Sequence, residues 1–167
     1  MIPKKDPDKS SEENADHHLK HYLYPSAIYA HASPSIVTTI LGTCVSVCIW
    51  DFYTQKGAIN HYMLPLWNGE GLASPKYGSI AIRKTIDKMK EMGSLQTNLR
   101  AKIFGGKSKS DGSSDFFLIG ERNIEIAYAI LEKENIPVIS ANVGGKYGRR
   151  IQFFTDTGDV YLNFIKG

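Results

Sequence analysis

The sequence predicts an α+β domain with a layered β core and helices packed outside it. Three features carry this expectation: about nine short strand-like runs, only two long stretches of helical periodicity, and strand pairs at both ends of the chain. A regular alternation of strand and helix, which would announce a parallel α/β sheet, is missing.

Taken in order, Met1 to Asp16 is charged and nearly free of large apolar side chains, so it reads as a flexible polar tail. The boundary falls at residue 21, with a single domain over 22–167. His17, His18 and His21 read as a polar lead-in. His17 and His21 would share a face if this segment were helical, but no Cys, Asp or Glu is spaced to complete a metal site. Ala27–His31 and Ser35–Thr39 are short strands broken around Pro34. Cys44–Asp51 is a strand whose alternation sets Val45, Val47 and Ile49 on one face and Cys44, Ser46, Cys48 and Trp50 on the other. Ala58–Leu64 is its expected antiparallel neighbour, ending at Pro65. Leu66–Lys76, with Gly69, Gly71 and Pro75, is a surface loop.

A helix follows over Tyr77–Met92, where Ile82, Ile86 and Met89 form an apolar stripe and Gly93 provides the stop. Leu99–Phe104 reads as a buried strand. Gly105-Gly106 opens a second polar loop through Asp115. The second helix spans Arg122–Glu134, with Ile124, Ala127, Tyr128 and Leu131 at helical spacing, and Asn135 ends it. Pro137–Ala141 is a strand. Arg150–Thr155 and Val160–Ile165 alternate around Asp156-Thr157-Gly158-Asp159 as a hairpin.

A chain of 167 residues suits one domain with its own core. Hydrophobic content of 42% and charged content of 22% are those of a soluble globular protein. The net charge of +3, carried by scattered Lys and Arg, does not indicate nucleic acid. No apolar stretch approaches the roughly 20 residues of a membrane span. No apolar signal core follows Met1, so the cytoplasm is the expected location. The two cysteines, Cys44 and Cys48, would lie about 13 Å apart on an extended strand, too far for a disulfide.

The chemistry concentrates at Cys44 and His61. A hairpin-like pair of strands separated by a short connection, Phe52 to Lys56, would bring them together. A thiol beside an imidazole is the minimal equipment for nucleophilic catalysis, because the imidazole takes the thiol proton and later delivers one to a leaving group. Gly42, two residues before the cysteine, allows close approach of a ligand. Backbone N–H groups near Gly42 and Thr43 could hold an oxyanion, and a thiolate is expected to be stabilised there. A hydroxyl near the second imidazole nitrogen would fix the tautomer. Spacing alone does not choose among Thr38, Thr39 and Thr43 for that role. Cys48, inside the apolar run, reads as a core residue with a raised pKa. Leu66–Lys76 and Gly106–Asp115 are expected to flank the site.

The run Thr38-Thr39-Ile40-Leu41-Gly42-Thr43-Cys44-Val45-Ser46-Val47-Cys48-Ile49-Trp50-Asp51, followed by Gly57-Ala58-Ile59-Asn60-His61-Tyr62-Met63-Leu64-Pro65, resembles the CheD family of chemoreceptor glutamine deamidases. Lys102–Gly106, Ile119–Asn123, Asn142–Gly145 and Gly148–Ile151 extend the resemblance over Ala27 to Val160. It implies a layered α/β/β fold similar to the deamidase domain of cytotoxic necrotizing factors. It implies a catalytic set matching Cys44, His61 and Thr38, with no metal or cofactor. The implied reaction is hydrolysis of glutamine side chains on methyl-accepting chemotaxis receptors, with a CheC-type phosphatase as partner. The same groove would also suit a non-catalytic docking module for receptor or phosphatase. A cysteine peptidase or amidase with another substrate would share the thiolate chemistry.

Overall fold

The computed structural model describes residues 17–108 and 115–166; the expected tail, 1–16, and most of the loop after Gly106 lie outside them. Among the described residues there are nine strands, two α-helices and one short 3-10 turn. The strands are β1 (Leu19–Tyr22), β2 (Ile28–Ala30), β3 (Ser35–Leu41), β4 (Val45–Asp51), β5 (Lys56–Asn60), β6 (Leu99–Gly105), β7 (Val138–Val143), β8 (Gly148–Phe154) and β9 (Val160–Ile165). The helices are α1 (Gly78–Glu91) and α2 (Asp115–Lys133). They build two sheets, β1-β3-β8-β9 and β2-β5-β4-β6-β7, both of mixed strand direction.

The alternation in β4 organises the layers. Val45, Val47 and Ile49 face the helices and pack with Ile82, Ile86 and Met89 of α1 and Ala127, Ile130 and Leu131 of α2. Cys48 faces the other way, into a second core with Val37, Leu41, Ile59, Phe104, Ile151 and Phe153. The order is therefore helices, five-stranded sheet, four-stranded sheet, the α+β layering expected. Each large side chain withdrawn from water in these cores contributes about 1.5–3 kcal/mol.

Three elements differ from the sequence expectation. Leu19–Tyr22 is a strand, paired in parallel with β3 from Leu19↔Ser35 to Tyr22↔Thr38. The domain thus begins before the expected boundary at residue 21. All four of its residues are exposed, so no apolar alternation marked it. The histidines there serve the fold: His18 Nε2 meets both carboxylate oxygens of Asp156 at 2.9 and 3.0 Å, and His21 stacks on Tyr29 at 4.4 Å. No set of three metal-ligating side chains occurs among the described residues.

β5 stops at Asn60 rather than Leu64, because the Asn60 side chain takes over a ladder position: its Oδ1 accepts the Val47 N–H at 2.9 Å. Helix α2 starts at Asp115, seven residues before the expected Arg122. Gly120 disguises this turn. A Cβ there would meet the Lys107 carbonyl oxygen at 2.3 Å, so glycine lets the helix lie against the backbone that follows β6.

Candidate active site

The start of β4 and the segment after β5 converge on one corner of the five-stranded sheet. Val45 and Tyr62 form an isolated antiparallel bridge with reciprocal backbone bonds of 3.2 and 3.0 Å. That register sets Ser46 across from His61. It leaves Cys44 on the diagonal of the same face, a separation of about 7 Å between adjacent strands. His61 is nearly fully buried, at 2% exposure, whereas Cys44 is partly exposed at the rim.

The imidazole is fixed from the opposite sheet. Thr39 Oγ1 lies 2.8 Å from the Leu23 carbonyl oxygen and 2.7 Å from His61 Nδ1. A carbonyl only accepts, so the single hydroxyl hydrogen of Thr39 goes to Leu23. The Thr39 oxygen must then accept from Nδ1–H, which leaves the lone pair on Nε2. The resemblance had assigned the threonine role to Thr38. The structure brings Thr39 rather than Thr38 to His61 Nδ1: Thr39 shares the inward face of β3 with Val37 and Leu41, and Thr38 faces outward. Thr38 lines a separate cavity of about 460 Å³ with Tyr22, Ile36, Arg150 and Gln152, while its carbonyl accepts the Leu23 N–H at 2.8 Å.

Burial raises the Cys44 thiol above its ordinary value, opposed more weakly by its own backbone N–H. Burial also lowers the His61 imidazole to about 4. At neutral pH the pair is therefore a thiol and a neutral imidazole, not the stabilised thiolate expected from the sequence. The reason is desolvation without a compensating charge. Cys48, fully enclosed, is pushed up much further, with Lys102 acting in the opposite direction.

Around Cys44 the backbone carbonyls are all engaged. Lys107 N–H donates to Gly42 O and Gly106 N–H to Cys44 O, both at 2.9 Å, and Asn123 Nδ2 donates to Thr43 O at 3.0 Å. The N–H groups of Thr43 and Cys44 have no acceptor in another residue among the described ones. Gly42 has open space where a Cβ would stand and no left-handed backbone, so it leaves the approach to Cys44 clear without being needed for a turn. The glycine that the turn requires is Gly105, at φ +105°, where a Cβ would sit 2.2 Å from the Cys44 carbonyl oxygen.

Two further residues frame the site. Asn123 is fully buried on α2, and its Nδ2 also donates to Met63 O at 3.0 Å. Arg149, 3% exposed, gathers Asn142 Oδ1 at 2.8 Å and the carbonyls of Gly144 at 2.6 Å and Gly105 at 3.4 Å. It thereby ties the 144–145 turn to the strand end beside Cys44. The sequence did hold a signal for Asn123: it stands on the apolar stripe of its helix, four residues before Ala127, where a polar side chain needs a partner.

Of the two loops expected to flank Cys44, 66–76 returns to the site through Lys76, whose carbonyl accepts the Met63 and Leu64 N–H groups at 2.8 and 3.1 Å. In the other loop, Gly106 and Lys107 touch the Cys44 turn, and 109–114 lie outside the described residues. A groove of about 540 Å³ lies between Pro65 and Leu66 on one side and Arg122, Glu125 and Ile126 of α2 on the other. No helix among the described residues is long and apolar enough to cross a membrane.

Residues 63–164 match the family model described as CheD chemotactic sensory transduction. A probable chemoreceptor glutamine deamidase CheD of Trichlorobacter lovleyi is 45% identical over 152 residues, 91% of this chain and 94% of the relative. One of the same description from Sulfurimonas denitrificans is 41% identical, covering 88% of this chain and 95% of its own length. A third, from Rhodospirillum rubrum, is 35% identical over 88% of this chain and 83% of its own.

Proposed function

From the premise that the chain belongs to the CheD family, we propose that it is a protein-glutamine deamidase acting on methyl-accepting chemotaxis receptors through a Cys44 thioester. The names of its relatives support amide hydrolysis on chemoreceptors. The observation that carries the mechanism is the chain of bonds from the Leu23 carbonyl through Thr39 to His61 Nδ1, which leaves the lone pair on Nε2, with the partly exposed Cys44 on the same face of the sheet.

The chemistry follows from that arrangement. His61 Nε2 removes the thiol proton as Cys44 Sγ bonds to the carboxamide carbon, and the carbonyl oxygen becomes an oxyanion facing the backbone N–H groups of Thr43 and Cys44. Collapse expels ammonia, which takes its third proton from His61, and leaves a thioester. Water, deprotonated by His61, then attacks the thioester, releasing glutamate and restoring the thiol. The net change is one water consumed and one ammonia released. Because the resting pair is neutral, the nucleophile is generated at the moment of attack. The groove beside Pro65 and Arg122 suits the receptor helix that presents the glutamine. A CheC-type phosphatase as regulatory partner belongs to the same proposal, and co-purification of the two proteins tests it.

The direct test incubates receptor cytoplasmic fragments with this protein and maps the products by peptide mass spectrometry. Deamidation adds about one dalton per glutamine as –NH₂ becomes –OH. Unchanged masses on fragments that carry the modification helices would refute the reading.

The neutral resting pair has its own signature. His61 stays unprotonated down to about pH 4, so kcat/KM should hold through pH 5–7 and fall only as pH drops towards 4. Over the same range iodoacetamide should label Cys44 slowly, its rate climbing only above the ordinary thiol value, because burial disfavours the thiolate. A plateau of fast labelling between pH 5 and 7 would indicate a thiolate–imidazolium pair instead.

A further inference from the structure

Asn123 makes a pattern of bonds that packing alone does not require. Both hydrogens of its Nδ2 go to backbone carbonyls, Thr43 O and Met63 O, each at 3.0 Å. These flank the nucleophile and the histidine: Thr43 precedes Cys44, and Met63 follows His61 by two residues. Meanwhile Oδ1 is buried with no partner among the described residues. The reverse orientation would set Oδ1 against two carbonyl oxygens, so the amide orientation is fixed by chemistry. The backbone of Asn123 is itself held, because the Tyr62 hydroxyl donates to its carbonyl. A buried side chain that leaves its own acceptor unpaired in order to make two donations is placed for those donations.

The consequence lies in the Thr43–Cys44 peptide, which is trans. In a trans peptide the C=O and N–H point in opposite directions. Asn123 pulls the Thr43 carbonyl toward α2, on the helix side of the five-stranded sheet. The Cys44 N–H is thereby turned the other way, toward the face on which Cys44 packs against the second core, between the two sheets. We infer that Asn123 is the positioning residue of the oxyanion site: by holding the Thr43 carbonyl it aims the Cys44 N–H at the oxygen of the carbonyl under attack. This inference rests on the deamidase reading for its natural substrate, but the geometry it describes applies to attack on any carbonyl.

The test separates carbonyl attack from simple alkylation. Asn123→Ala and Asn123→Asp are compared with the wild-type chain in three reactions of Cys44: alkylation by iodoacetamide, acylation by p-nitrophenyl acetate, and turnover of a receptor glutamine. Alkylation passes through no oxyanion, so its rate should stay within about twofold. Acylation and kcat should both fall about ten- to a hundredfold, with KM within about twofold, because an oxyanion donor is misdirected. Equal losses in alkylation and acylation would mean a merely structural role and would overturn the inference, as would unchanged acylation. A wild-type protein that shows the acylation split but no glutamine turnover would refute the deamidase reading and leave this one standing. If neither variant folds, a glutamine-like peptide aldehyde is titrated into the wild type. The hemithioacetal on Cys44 should shift the Cys44 backbone amide resonance strongly, and an adduct that leaves it unmoved would overturn the inference.

Discussion

Cys44→Ser is expected to abolish glutamine turnover, a loss of about a thousandfold or more, while leaving the fold intact. A serine hydroxyl is far less acidic than a thiol, and an imidazole lowered to about 4 is too weak a base to activate it. The same change at Cys48 should do the opposite. Cys48 is buried among Val37, Leu41, Ile59 and Phe104, and burial holds its thiol neutral. Cys48→Ser should keep near-normal turnover but lose about 1–3 kcal/mol of stability, from a hydroxyl set in an apolar layer. Turnover assays paired with thermal melts of the two variants check both halves. Full activity of the Cys44 variant would contradict the assignment.

The second large effect is expected at Thr39. Thr39→Val removes the acceptor for His61 Nδ1–H and the donor to the Leu23 carbonyl in one step. The ring then loses the bond that selects its tautomer, and turnover should fall about ten- to a hundredfold. Thr39→Ser keeps the hydroxyl and should recover most of the rate. Thr38→Val should stay within about twofold of wild type, because that side chain lies on the outer face of β3 with Gln152 and Arg150. Comparing kcat for the three variants decides the matter. A larger loss at Thr38 than at Thr39 would restore the sequence-based assignment.

The two threonines show what the sequence could and could not reveal. The alternation of β4 was legible because its apolar residues recur strictly every second position, and the two cores follow it. Parity in β3 does not choose between the threonines, because Ile36 and Ile40 share the face of Thr38 as Val37 and Leu41 share that of Thr39; only the stacking of the two sheets makes Thr39 the inward one. Family resemblance, which follows spacing from the cysteine, pointed instead to its neighbour. Both helices were legible from their apolar stripes, but the start of α2 was hidden by Gly120, whose purpose is a contact with Lys107. β1 carries no pattern at all because every residue in it is exposed. The resting charge state of Cys44 was also out of reach. It depends on how much water the fold removes, and a linear chain does not display that. Arg149 is illegible for a related reason: its partners are backbone carbonyls from separate turns, Gly105 and Gly144, brought together only by the sheet pairing.

In the proposed reaction the carboxamide carbon passes onto Cys44. The most direct measurement is rapid acid quenching of the protein during turnover of a glutamine-containing receptor peptide, followed by intact-mass analysis and fragment mapping. The expected adduct equals the peptide minus ammonia, is located on Cys44, is absent from Cys44→Ser and still forms in Cys48→Ser. An adduct on Cys48, or deamidation that continues in Cys44→Ser with no adduct on any cysteine, would contradict this reaction.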